Sequence, residues 1–217
     1  MAILSMTLTR ILHMPVLHQM QVSGNCYKVR LAARQLGVEL TLEEYGLHDG
    51  ATRKLDFLSK NPNGRVPLLE FEDGRMLAES DAILWYLSED TFLLPADRWG
   101  RAEVLQWMFF EQYSHEPYIA VARFWLSFAP KEELEKRRHL VPEWHAKGNA
   151  ALGVMQTHLA GREWFAGGRY SIADIALYSY THCAADGGFD LAAYPAVVAW
   201  LKRVASQPGH VPLQVAW

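Results

Sequence analysis

Strand-like and helix-like patterns of apolar residues alternate in the first part of the chain. Residues 38–43 alternate between apolar and polar positions, a period of two that predicts a β-strand, and the run 15–20 is a candidate first strand. Between them, the apolar residues within 29–36 recur at helical spacing, and Gly37 ends the predicted helix. A short helix is predicted at 52–59.

Residues 61–80 form the most distinctive stretch of the sequence. Asp73-Gly74 separates two short apolar runs and predicts a tight β-hairpin, because both residues tolerate positive φ angles. The hairpin follows Val66-Pro67, where the backbone is extended and the proline is a candidate for a cis bond. Ser80 precedes an apolar-rich segment and is the predicted N-cap of a helix. The β-α-β, α, β-β-α order predicts a mixed sheet with helices on both faces.

The strand pattern fades after residue 90. A proline-containing stretch at 91–97 loses periodicity, which predicts a linker between two domains at 1–90 and 98–217. We interpret 1–13 as an appendage that precedes the first strand.

The second domain is predicted to be all-helical. Pro117 predicts a kink or break near 113–116 in a long first helix, and Pro142 interrupts the next one. Ser171 and Asp174 form a capping box, so we interpret Asp174 as a helix cap and not as a catalytic residue. The predicted helical segments are 98–128, 131–160, one from 171 and one from 195.

Composition excludes several classes of function. Of the 217 residues, 50% are hydrophobic and 21% charged, and the net charge of −3 gives no electrostatic case for nucleic acid or membrane as a partner. Cys26 and Cys183 do not make a disulfide framework, so a reducing cytoplasm is the expected location. We predict no signal peptide, no membrane span and no metal site, because the sequence has none of their motifs.

The junction between the hairpin and the next helix has the charges to hold an amino acid. A helix start leaves backbone N–H groups free and carries the positive end of the helix dipole, so the helix at Ser80 attracts a carboxylate. Glu79 beside it can hold an ammonium group. Since an α-carbon carries both charges, this pair suits the α-amino acid end of a ligand.

The pattern Asn-Pro-x-Gly-Arg-Val-Pro at 61–67, followed by a hairpin and by Glu79-Ser80 at a helix start, resembles the cytosolic glutathione S-transferases. The resemblance implies a thioredoxin-like α/β domain followed by an all-helical domain, and a two-fold homodimer. It also implies that the backbone at Val66-Pro67 pairs with the cysteinyl part of glutathione, while Glu79 and Ser80 hold the γ-glutamyl end.

Glutathione transfer also requires a thiolate, and a free thiol with a pKa of roughly 8.5 is mostly protonated at neutral pH. A hydrogen-bond donor near a helix start favours the thiolate. The resemblance points to Ser23, as in bacterial, theta-like and nu-like members, and to Asn25, as in nu-like members. Each is alternatively only a capping residue. Cys26 is either a redox nucleophile or, like most lone cysteines, an inert buried thiol.

Arginine and aromatic residues complete the predicted site. Arg65 stands where the family often has a lysine and is a candidate partner of the glycyl carboxylate, and Arg53 is a second candidate; either is alternatively a solvated surface residue. Residues of the long helix are candidates for a second-substrate pocket between the domains, or alternatively for its core: Tyr113, His115, Tyr118 and Phe124.

The expected function is that of a glutathione transferase, with glutathione as co-substrate, no metal, and a small hydrophobic electrophile as the second substrate. One alternative is a nu-like reductase that uses glutathione to reduce a disulfide or peroxide. Another is a family member without enzymatic activity that serves as a regulator or as a subunit of a larger complex. The sequence does not name the electrophile, and it leaves the choice between Ser23 and Asn25 open.

Overall fold

The protein is described by a computed structural model of residues 14–215, so the predicted appendage at 1–13 lies outside the described residues. The strands are β1 (Val16–Gln19), β2 (Thr41–Glu44), β3 (Leu68–Glu70) and β4 (Met76–Ala78). The helices are α1 (Gly24–Leu36), α2 (Leu55–Lys60), α3 (Ser80–Ser88), α4 (Arg98–Phe110), α5 (Glu116–Ser127), α6 (Lys131–Glu135), α7 (Val141–Leu159), α8 (Ile172–Thr181) and α9 (Pro195–Ala205).

The four strands form one mixed sheet in the order β2-β1-β3-β4. β1 runs parallel to β2 and antiparallel to β3, and β3 pairs with β4 in the predicted hairpin. Gly74 takes a φ of 80° in the hairpin turn, a conformation that glycine adopts without steric penalty. The predicted β-α-β, α, β-β-α order and thioredoxin-like arrangement are confirmed.

The second strand is shorter than its sequence pattern predicts. Alternation suggested 38–43, whereas β2 begins at Thr41, opposite Val16 at the start of β1. Leu40 is nevertheless buried, in a core with residues of β1, β3, α1 and α3. The alternating pattern therefore indicates which side chains are buried, and it extends beyond the residues that pair with β1.

The predicted N-cap of α3 is wrong by one residue. α3 begins at Ser80, and its N-cap is Glu79, which has a φ of 69° and makes no side-chain capping bond. Ser80 does not cap because its hydroxyl is used elsewhere: it donates to Asn25 Oδ1 at 3.3 Å and accepts from Lys28 Nζ at 3.3 Å.

The helical half contains the predicted irregularity near Pro117. A π-helical turn at Glu111–His115 joins α4 to α5, and Pro117 lies in the first turn of α5, where its missing N–H is not needed. The capping box is confirmed, because the Asp174 carboxylate accepts from the backbone N–H of Ser171 at 3.0 Å. Asp174 also accepts from Trp200 Nε1 at 2.9 Å, which ties α8 to α9.

One hydrophobic core joins the sheet-containing half to the helical half. Tyr27, Leu31 and Leu84 pack in the same cluster as Ile175 and Trp200. At the α1–α8 contact, Gly24 allows a close approach, because a Cβ there would lie 2.6 Å from Cε1 of Tyr180. Within residues 14–215, no helix has both the length and the apolar character to cross a membrane.

Candidate functional site

Two neighbouring cavities open around the start of α1, and Asn25, Arg65 and Val66 line both of them. The larger has a volume of about 720 Å³ and lies between the loops of the sheet and the helix α5. The smaller has a volume of about 70 Å³ and lies between the start of α3 and the π-helical turn. A ligand that fills the smaller cavity therefore reaches the larger one past Asn25.

The smaller cavity is polar, and the 61–67 turn shapes one of its sides. The Val66–Pro67 peptide bond is cis. Asn61 holds the turn, since its Nδ2 donates to the carbonyl of Arg65 at 2.8 Å and its Oδ1 accepts from the backbone N–H of Asn63 at 3.1 Å. The remaining lining residues are Pro67, Glu79, Ser80, Gln112 and Glu116.

Asn25 is fixed at the boundary of the two cavities. Its Oδ1 accepts from the Ser80 hydroxyl at 3.3 Å, and its Nδ2 donates to Glu116 Oε1 at 3.4 Å. Its backbone N–H donates to the hydroxyl of Tyr180 at 3.4 Å. Helices α3 and α5 thus orient the side chain of Asn25, and α8 holds its backbone.

A buried ion cluster lies behind the smaller cavity. Lys28 Nζ contacts Glu111 Oε2 at 2.8 Å and Asp81 Oδ1 at 3.1 Å, and the side chains of Lys28 and Glu111 are fully buried. Burial raises the pKa of the Glu111 carboxyl, and the Lys28 ammonium offsets part of that rise. Because Lys28 also donates to Ser80, the cluster connects the π-helical turn to the start of α3.

Ser23 lies at the N-terminus of α1 and lines the larger cavity. Its Oγ accepts from the backbone N–H of Cys26 at 3.3 Å, so the serine is a helix cap. The same hydroxyl also forms a hydrogen bond with the Cys26 thiol, so a ligand in the cavity would compete with that thiol for the hydroxyl hydrogen.

Cys26 lines neither cavity. Its side chain is buried, and its Sγ accepts from the backbone N–H of Met20 at 3.4 Å. Burial raises the pKa of the Cys26 thiol to about 11, while the hydrogen bond with Ser23 acts in the opposite direction. The structure thus favours the inert buried thiol over the redox nucleophile.

The larger cavity combines aromatic and cationic side chains. Phe124 lies there with two further aromatic residues of the same region, Trp125 and Phe128. Arg53 and Arg65 line it from the loops of the sheet, and Arg53 Nη1 donates to the carbonyl of Asn63 at 3.0 Å.

Three of the four residues predicted for the second-substrate pocket lie outside this cavity. Tyr113 is 83% exposed on the surface. His115 is buried, its Nε2 donates to Thr181 Oγ1 at 2.8 Å, and burial lowers the pKa of its ring to about 3. Tyr118 packs against Lys147, whose Nζ lies 5.1 Å from the centroid of the Tyr118 ring. Only Phe124 lines the cavity.

The π-helical turn explains the position of Tyr113 relative to Phe124. Tyr113 and Phe124 are about three α-helical turns apart, so an uninterrupted helix would put them on one face. The turn at Glu111–His115 inserts extra residues into that stretch and changes the phase of everything that follows.

Sequence reasoning missed several lining residues, for different reasons. Trp125 and Phe128 belong to the same helical region as Phe124, and the spacing of 120, 124 and 128 was a signal that could have indicated this face. Tyr180 belongs to α8 and lies 155 residues after Asn25 in the sequence, so no local sequence pattern predicts that it lines the cavity. Across the described part of the chain, no cluster of three or more His, Cys, Asp or Glu side chains could hold a metal ion.

Comparison with known proteins assigns the two halves of the chain to the two domains of one family. The family model for the glutathione S-transferase N-terminal domain matches residues 22–90, and that for the C-terminal domain matches 107–208. Glutathione S-transferase D7 of Anopheles gambiae is 33% identical over 201 residues, which cover 90% of this chain and 88% of the relative. The disulfide-bond oxidoreductase YfcG of Escherichia coli (strain K12) is 29% identical over 191 residues, 85% of this chain and 87% of the relative.

Solved structures extend the similarity to the whole fold. The crystal structure of a possible glutathione S-transferase from Rhodopseudomonas palustris shares 50% sequence identity and a TM-score of 0.90, over 93% of this chain and 90% of that one. The two domain matches, the relatives and the shared fold agree, and the chain belongs to the glutathione S-transferase family.

Proposed function

We propose that the protein is a glutathione transferase, which binds glutathione across the two cavities and activates its thiol at Ser23. The observation that carries this proposal is the shared lining of the cavities. Asn25, Arg65 and Val66 border both, so a ligand held in the polar cavity extends into the one that Ser23 lines.

The charges of the smaller cavity match the γ-glutamyl end of glutathione. The start of α3 at Ser80 supplies backbone N–H groups and the positive end of a helix dipole for the α-carboxylate. Glu79 and Glu116 supply negative charge for the ammonium group. Val66 presents backbone to the cysteinyl part, and Arg65, which borders both cavities, is the better-placed partner of the glycyl carboxylate; Arg53 is the second candidate.

Ser23 is the better-placed donor to the thiolate. Its hydroxyl lines the larger cavity and bonds only within its own helical turn, to Cys26, whereas the side chain of Asn25 already bonds Ser80 and Glu116 on other helices. Donation to the sulfur favours the charged form and lowers the thiol pKa. In this proposal Asn25 orients the γ-glutamyl end, and Ser23 stabilises the thiolate without acting as a base.

The activated thiolate attacks an electrophilic carbon in the larger cavity, where a C–S bond forms and a leaving group departs with its electron pair. Phe124, Trp125 and Phe128 provide apolar surface for a planar substrate. The second candidate function is disulfide reduction, which the similarity to the YfcG oxidoreductase favours. In that reaction, the thiolate attacks a substrate disulfide, whose S–S bond breaks as one half leaves as a thiolate and the other forms a mixed disulfide with glutathione; a second glutathione then releases that half as a thiolate and leaves oxidised glutathione.

We also propose a two-fold homodimer. A groove of about 550 Å³ runs between α3 and α4, with apolar lining from Ala82, Trp85, Leu105, Met108 and Phe109. Phe109 is 68% exposed there, within a continuous apolar lining of the kind that marks protein–protein contacts.

Activity measurements test the proposed function. Calorimetry should show glutathione binding, and turnover of 1-chloro-2,4-dinitrobenzene should exceed turnover of hydroxyethyl disulfide. Ser23→Ala should lower both activities by at least tenfold, while Asn25→Ala should mainly weaken glutathione binding. Faster turnover of the disulfide would support the reductase instead. Absence of glutathione binding would favour the family member without enzymatic activity.

A further inference from the structure

The larger cavity has more positive charge than glutathione requires. Three arginines line it, Arg53, Arg65 and Arg123, and none of its lining residues within the described ranges is acidic. In the proposed complex, the glycyl carboxylate of glutathione pairs with one of the two exposed loop arginines, Arg53 or Arg65. Arg123 is different from both, because only 6% of it is exposed.

Arg123 is held rigidly beside the proposed thiol site. Its Nε donates to Asp186 Oδ2 at 3.2 Å, and its Nη1 donates to the carbonyl of Val22, the residue before Ser23, at 3.0 Å. Its guanidinium lies 4.7 Å from the ring centroid of Phe128. A Cβ at Gly187 would lie 2.9 Å from the backbone nitrogen of Arg123, so the turn after α8 packs directly against the backbone of Arg123.

The guanidinium retains donors that the described chain does not use. An arginine has five N–H donors, and the two hydrogen bonds that Arg123 makes to Asp186 and Val22 leave the Nη2 end and one N–H of Nη1. Asp186 contacts only the Nε of Arg123, and the Asp186 side chain is 49% exposed. Solvent therefore weakens the attraction between its carboxylate and the buried positive charge of Arg123. These donors are accessible from the cavity that Arg123 lines, and the fork geometry of arginine matches a carboxylate.

The neighbours of Arg123 define the rest of the ligand. Phe128 lies against the guanidinium, and Phe124 and Trp125 line the same cavity with further aromatic surface, which suits a planar apolar body. We infer that the second substrate is an aromatic carboxylic acid whose carboxylate binds Arg123 while its electrophilic carbon faces the glutathione thiol. This inference rests on the proposed function and names its substrate class.

A pair of matched substrates tests the inference. 4-Chloro-3,5-dinitrobenzoate and its uncharged amide, 4-chloro-3,5-dinitrobenzamide, both react with a thiolate: the C–S bond forms at the carbon that bears chlorine, and chloride leaves. The wild-type preference is the ratio of the two kcat/KM values, each divided by its uncatalysed rate constant. We expect this ratio to favour the benzoate by about tenfold.

Arg123→Gln should lower kcat/KM for the benzoate by tenfold or more and for the amide by at most twofold. Arg123→Lys should restore part of the preference. Arg137 provides a matched control, because its guanidinium lies 4.3 Å from the ring centroid of Trp125 and it does not line the cavity. Arg137→Gln should leave the ratio unchanged.

Asp186→Asn keeps the inference testable if Arg123→Gln does not fold. Removing the partially compensating carboxylate should raise the preference for the benzoate. Equal losses for the two substrates in Arg123→Gln, or no wild-type preference for the benzoate, would overturn the inference while leaving the transferase function intact. A wild-type protein that binds no glutathione and turns over neither compound would instead overturn the proposed function, and this inference with it.

Discussion

Burial decides which side chains at the start of α1 can take part in chemistry. Ser23 and Cys26 are three residues apart, yet Ser23 lines the larger cavity and Cys26 is buried against Met20. The sequence allowed either residue to act on a thiol. The helical geometry separates them, because the capping residue stays at the surface while the next turn packs inward.

Cys26 should therefore be unreactive in the folded protein. Burial raises the pKa of its thiol to about 11, so almost no thiolate is present at neutral pH. We expect iodoacetamide to leave Cys26 unlabelled under native conditions, as judged by peptide mass spectrometry, and Cys26→Ala to retain activity within about twofold. Labelling in guanidinium chloride provides the control. Rapid native labelling accompanied by loss of activity would contradict this prediction.

His115 should make the fold sensitive to acid. Burial lowers the pKa of its ring from 6.5 to about 3, so below pH 6.5 the unfolded chain binds a proton that the folded protein does not. The stability that depends on neutral His115 is complete above pH 6.5 and is lost as the pH falls toward 3, by up to about 1.4 kcal/mol per pH unit.

Comparison with His115→Gln, in which an amide can still donate to Thr181, isolates this contribution. Urea unfolding at several pH values should show the free-energy difference between wild type and variant shrinking as the pH is lowered from 6.5 to 4. A difference that stays constant over that range would mean that His115 is protonated in the folded state.

The π-helical turn separates Tyr113 from the cavity that Phe124 lines. Pro117 correctly indicated an irregularity, but sequence periodicity assumes a constant number of residues per turn, so it put Tyr113 on the face of Phe124. The same turn places Glu111 against Lys28, a contact between residues 83 positions apart that no local pattern contains.

The buried ion cluster should contribute strongly to stability. Lys28→Met would leave Glu111 and Asp81 without their cation, and removal of one partner of a buried ion pair typically lowers the free energy of unfolding by about 3–5 kcal/mol. Urea denaturation should report this loss. The double variant Lys28→Met/Glu111→Gln should recover part of it, and equal stabilities for the single and double variants would contradict the pairing.

At the scale of the whole molecule, the order of secondary-structure elements was predictable, but the contacts between elements far apart in the sequence were not. The hairpin at Asp73-Gly74, the stop at Gly37 and the Ser171–Asp174 box follow from local backbone preferences, and the structure confirms each of them. Arg123 and Tyr180 reach the site through packing between halves of the chain. The domain boundary at 91–97 stays a prediction.

Association of two chains should depend on the groove between α3 and α4. Sedimentation equilibrium should give the mass of two chains, and Phe109→Glu should shift the protein toward one, because a charge would be buried in an apolar interface. Val154 is a suitable control, since it is also about half exposed, at 48%, but belongs to α7 and does not line the groove. Val154→Glu should remain a dimer, and dissociation of both variants alike would argue against this interface.

The central claim is that Ser23 stabilises the thiolate of glutathione in the larger cavity. Titration of the bound thiol by its ultraviolet absorbance, with S-methylglutathione as the blank, measures this directly. We predict a thiol pKa at least about one unit below the free value of roughly 8.5 in the wild-type complex, and a return toward that value in Ser23→Ala. An unchanged thiol pKa in Ser23→Ala, or a larger rise in Asn25→Ala, would contradict it.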